Sequence, residues 1–136
     1  MVKMGGRSGD SVFMGHEVFS VDGGWRIGLW DFMQMFFPEK TNKKQFDCAV
    51  KFMKTLLEVK VVESTKLREL VGQDYVNLTM IVLPKLERFG LVKMSGERGR
   101  GKSYTISLDK AFSDRIRHVS MEWFRICAKY GDIYAT

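Results

Sequence analysis

The chain has 136 residues with a formal net charge of +6, 45% hydrophobic and 28% charged residues, which fits one domain, or one domain with an appended arm, around a real core. No stretch reaches the roughly 18 uninterrupted apolar residues of a membrane span, and no cleavable signal pattern opens the sequence. Two cysteines and two histidines offer no recognisable metal-ligand spacing, so the composition predicts a cytoplasmic protein with no membrane span, no metal and no cofactor.

Taken in chain order, residues 1–11 carry glycine, serine and scattered charge with almost no apolar material, the composition of a disordered tail. Residues 12–38 form an aromatic-rich arm. His16 to Val21 and Trp25 to Leu29 flank Asp22-Gly23-Gly24 as a small hairpin would. Alternatively Trp25 already belongs to a helix, since Trp25, Leu29, Phe32, Met33 and Phe36 follow helical spacing. Pro38 ends the element either way. The cluster including Trp30 and Phe37 reads as core rather than as a ligand pocket, because no convergent polar set accompanies it. A protein partner docking on this arm is the other use of so much aromatic surface.

Residues 39–108 read as one unit. Lys43 to Lys60 is a helix with Phe46, Val50, Met53 and Leu57 on its apolar face, and Val61 and Val62 supply a short strand. Ser64 is placed to cap a short helix over residues 65–71, which Gly72 closes. From Tyr75 to Phe89 the apolar residues Tyr75, Leu78, Val82, Leu86 and Phe89 recur every three or four positions, as on one side of a helix. Pro84 inside it predicts a kink near residues 80–84. Gly90 ends the helix, after which Leu91 to Met94 and Tyr104 to Ser107 are short strands joined by the glycine-rich, charged loop 95–103.

The segment Leu86-Glu87-Arg88-Phe89-Gly90-Leu91-Val92-Lys93, followed by a basic glycine loop and a strand, resembles the end of the recognition helix and the wing of MarR, ArsR and PadR-like repressors. The resemblance covers about a third of the chain. It implies a mainly α fold with a small β-wing, a winged helix-turn-helix, and double-stranded DNA as partner.

Charge and helix phase agree with that implication. Lys85, Arg88, Lys93, Arg98, Arg100 and Lys102 stand against only Glu87 and Glu97 between residues 85 and 103, a cluster suited to a polyanion. With Val82 inward, the 75–89 helix turns Gln73, Asn77, Met80, Pro84 and Glu87 outward, flanked by Val76, Ile81 and Arg88. Gln73 and Asn77 can bond adenine edges, and Val76 and Met80 can touch thymine methyls. Thr65, Lys66, Arg88, Arg98, Arg100, Lys102 and Ser103 complete the expected DNA-binding set, mostly through phosphates. Gly96 to Ser103 also satisfies the phosphate-loop pattern, but that chemistry needs a helix beginning at Lys102-Ser103, where the sequence predicts a strand. No catalytic constellation emerges, and an enzyme is not expected.

From Asp109 to Tyr130 the residues Phe112, Ile116, Val119, Trp123, Ile126 and Tyr130 are spaced four, three, four, three, four, the seam of a coiled coil. Residues 109–136 are therefore expected to form a dimerisation helix. Cys48 and Cys127 fall in apolar helical patterns as buried, reduced thiols. The combined expectation is a homodimeric DNA-binding protein, a transcriptional regulator or chromatin-associated factor. The apolar Val76, Met80 and Ile81 point to the alternative, a protein-interaction module of a transcription or replication assembly.

Overall fold

The computed structural model describes residues 28–97 and 101–130. The expected tail 1–11, the hairpin around Asp22 and the loop residues Arg98 and Arg100 lie outside them. The chain runs through α1 (Leu29–Gln34), α2 (Lys43–Val59), β1 (Val61–Glu63), α3 (Leu67–Val71), α4 (Tyr75–Asn77), a π segment (Leu78–Val82), α5 (Leu83–Arg88), β2 (Val92–Gly96), β3 (Tyr104–Leu108) and α6 (Ala111–Tyr130). It is mainly helical, with one small antiparallel sheet of order β1-β3-β2.

Helix α2 starts where the Asn42 side chain accepts the Gln45 amide at 3.2 Å, an N-cap that satisfies one otherwise orphaned donor. Its buried face is Phe46, Ala49, Val50, Phe52, Met53 and Leu56. Leu57, expected inside, is exposed and Leu56 takes its place. At 100° per residue Leu57 still projects between Phe46 and Val50, so its exposure reflects its place in the last turn of the helix, beyond the reach of the packed core, and not a shift of phase. Lys60 ends the helix at φ 76°, and Val62 in β1 turns into the core.

Ser64 does not cap a helix. A 3₁₀ turn (Ser64–Lys66) precedes α3 without any side-chain cap, and the Ser64 hydroxyl instead accepts the Tyr104 amide at 3.0 Å. That donor sits at the start of β3, 40 residues away, one position beyond the β1 register, which stops at Glu63 opposite Thr105. The hydroxyl thus carries the bonding between these two segments past the end of the short strand.

Helices α4 and α5 and the π segment between them form one composite helix over residues 75–88. Where the sequence predicts a kink, the helix changes to a π segment, with the Leu83 amide bonded to the Leu78 carbonyl five residues back. The α-helical pattern then restarts, with Pro84 in its first turn. Proline supplies no amide donor and crowds the preceding turn, which in a regular α-helix interior costs about 3 kcal/mol; here the turn before it is a π turn, where a regular α pattern is already interrupted. Leu78, Val82 and Leu86 are buried as the periodicity requires.

Gly90 holds the next corner at φ 80°. Its carbonyl accepts the Phe112 amide at 2.9 Å, and the Leu91 carbonyl accepts the Asp109 amide at the same distance. Helix α6 is thus fastened to the end of the composite helix. Phe112, assigned by its spacing to a dimer seam, belongs to the core instead. Its ring lies 5.8 Å from Phe32 and 5.5 Å from Phe36, and Phe36 lies 5.6 Å from Phe89. These edge-to-face and tilted pairs join α1, the composite helix and α6. Met33, Phe36 and Phe37 are buried and resolve that cluster as core, while Trp30 stays exposed with its edge on Phe46 at 4.4 Å.

Among the described residues no helix is long and apolar enough to cross a membrane, and no group of His, Cys, Asp and Glu could hold a metal ion.

Candidate functional site

Among the described residues, one hydrogen bond and one cation–π contact link parts of the surface expected to contact DNA. Ser64, bonded to Tyr104, sets Thr65 and Lys66 beside the end of the loop that carries Lys102 and Ser103. All four of these residues are exposed. One turn on, the Arg68 guanidinium stacks 4.2 Å over the Tyr75 ring, a cation–π contact that ties α3 to the head of the composite helix.

The turn between them is fixed from below. Gly72 takes φ 58°, open to glycine without strain, and the Cys48 thiol of α2 lies 3.8 Å from the Asp74 carbonyl. Burial, and then the nearby Asp74 carboxylate, push that thiol up to about 11 from 9.0. At neutral pH it is a neutral, unreactive group. Cys48 and Cys127 are both free and buried.

On the composite helix Val76 and Met80 are 66% and 71% exposed. Gln73, in the turn before the helix, is exposed, while Asn77 is half-buried, so the expected outward exposure is full at Gln73, Val76 and Met80 and partial at Asn77. Ile81, expected to flank that face, packs partly against the core. The Thr79 hydroxyl bonds back to the Tyr75 carbonyl at 3.0 Å and does not project as a free donor. Arg88 is exposed but stands at the far end of the helix, roughly 18 Å along the axis from Val76 at 1.5 Å per residue. Its carbonyl accepts the Arg115 guanidinium at 2.7 Å. The structure therefore groups Thr65, Lys66, Gln73, Val76, Asn77, Met80, Lys102 and Ser103 and leaves Arg88 apart.

The basic cluster is smaller than the sequence suggested. Lys85 is buried, with its ammonium donating to the Phe36 carbonyl and lying 5.1 Å from the Phe37 ring. It anchors the turn after α1 to α5 from the inside and is removed from the basic surface. The signal was available: Lys85 lies three residues after inward Val82 and four before inward Phe89, a core phase that outranks its charge. Lys102 pairs with Glu97 at 2.7 Å and Lys66 approaches Glu69 at 4.0 Å. Both pairs are exposed, where such contacts contribute little and yield readily to another anion.

Strand β3 begins at Tyr104, directly after Lys102-Ser103, in the place where a phosphate loop needs the amino end of a helix. Compared with family models, curated proteins and solved structures, the chain matches none.

Proposed function

We propose that residues 39–108 are a winged helix-turn-helix that binds double-stranded DNA, and that the protein acts in the cytoplasm as a transcriptional regulator or chromatin-associated factor. The observation behind this is the continuity of one exposed surface. It runs from Lys102 and Ser103 at the end of the hairpin loop through Thr65 and Lys66, across the Arg68–Tyr75 contact, to Gln73 in the turn and to Val76, the half-buried Asn77 and Met80 on the composite helix. A helix about 10–12 Å across fits the major groove. Placed there, Gln73 and Asn77 face base edges with Val76 and Met80 against thymine methyls, while Arg98, Arg100 and Lys102 of the loop follow the flanking phosphates.

The test is a mobility-shift series on unrelated duplexes with salt varied. Changing Arg98, Arg100 and Lys102 together to alanine is expected to weaken binding to every duplex. It should also flatten the salt dependence by up to about 2.7, at about 0.9 for each phosphate that is no longer neutralised. Unchanged affinity and slope would remove the loop from the interface.

A second reading is favoured by the exposure of Val76 and Met80, which is more apolar than groove contact requires. The same face would then dock a protein. If the intact chain shows no DNA binding even at low salt, this reading takes precedence.

A further inference from the structure

We infer that the C-terminal two-thirds of α6 is the interface with a second copy of this chain. Phe112 faces its own core, but further along the same line Ile116, Val119, Trp123, Ile126 and Tyr130 are 43%, 62%, 58%, 41% and 76% exposed. Their spacing of three, four, three, four keeps them on one stripe over four turns, roughly 21 Å at 1.5 Å per residue. This 3.5-residue period suits a supercoiled helical partner better than a flat surface.

The chain itself says which helix that is. Helix α2, of similar length, has Phe46, Ala49, Val50, Met53 and Leu56 buried in the core. Among the described residues α6 is therefore the one long helix with an unoccupied apolar seam, and its match in period and length is α6 of another copy. A two-fold contact brings the same patch against itself.

Area supports the pairing. Aromatic side chains present about 150–250 Å² each, so Trp123 and Tyr130 at these exposures hold about 300 Å² between them. With Ile116, Val119 and Ile126 added, two copies approach the ~1,000 Å² that a specific interface requires. One flank of the stripe carries Ser113 and Ser120, both exposed and small enough for close helix approach, while Cys127 further along it is already buried. The other carries Arg115, Glu122 and Lys129, which alternate in sign and do not repel a partner uniformly. Glu122 is held by Arg125 of its own helix at 3.0 Å, and its carboxyl is kept below the usual range first by that hydrogen bond and then by the same guanidinium's charge.

Pairing through α6 needs no DNA and would hold whether or not the protein binds it. Sedimentation velocity on the full chain is the test, since the monomer is 15.7 kDa. Wild type at tens of micromolar is expected near twice that mass and should dissociate on dilution. Ile116→Glu combined with Trp123→Glu places four like charges across the contact and should sediment as a monomer with unchanged helical circular dichroism. Val119→Glu, at the most exposed aliphatic seam position, gives a milder variant that should weaken association at least tenfold without a change in melting of the monomer. A wild-type monomer at high micromolar concentration overturns the proposal, as does a Val119→Glu variant that associates as wild type does.

Discussion

Gly90→Ala tests how α6 is mounted on the rest of the chain. At φ 80° an alanine carries the left-handed penalty of about 1–2 kcal/mol. Its Cβ would also stand 2.8 Å from the Phe112 amide nitrogen and 2.9 Å from the Ala111 Cβ, and neither is the movable end of a long side chain. Helix α6 must then shift outward. The hydrogen bond from the Phe112 amide to the Gly90 carbonyl stretches, at about 1 kcal/mol. The ring contacts of Phe112 with Phe32 and Phe36 loosen, at about 0.5–1.5 kcal/mol per pair. The expected total is about 3–6 kcal/mol. Gly101→Ala is the control: φ is 75° and nothing lies within 4 Å of the added carbon, so only the backbone penalty of about 1–2 kcal/mol applies. Urea unfolding of both variants measures the difference, which should be about 2 kcal/mol or more. Equal losses would mean that the junction tolerates displacement and that α6 is not positioned by Gly90.

Two other outcomes follow from the composite helix and the thiol beneath it. Asn77→Ala should leave the melting temperature within about 2 °C and lower DNA affinity or sequence preference, whereas Val82→Ala, fully buried, should cost about 1–3 kcal/mol; a thermal melt with the opposite ranking would refute the helix phase. Because burial raises the Cys48 thiol to about 11 from 9.0, the stability it contributes is complete below about pH 9 and is lost as pH rises towards 11. The stability gap between wild type and Cys48→Ala in urea should therefore narrow over that window, and a gap independent of pH would show that Cys48 does not titrate in this way.

Periodicity and punctuation in the sequence determined the helical segments and most of their inward faces. Leu78, Val82 and Leu86 are inside, Val76 and Met80 outside, and Gly72 and Gly90 end their helices at positive φ, because all of these depend on neighbours within one or two turns. The basic loop and the α6 stripe are legible for the same reason. Tertiary structure alone decided what covers each face. Ser64 has the chemistry of an N-cap, but a strand amide 40 residues away takes its hydroxyl. Phe112 has the spacing of a seam, but the rings of Phe32 in α1 and Phe36 just after it reach it first. Pro84 announces a break, but the chain meets it with a π segment over Leu78–Val82 and resumes an α-helical pattern, with Leu78, Val82 and Leu86 all buried in one core. Lys85 shows both halves: its phase pointed inward, and the carbonyl of Phe36 that makes a buried ammonium tolerable comes from a segment 49 residues earlier in the chain.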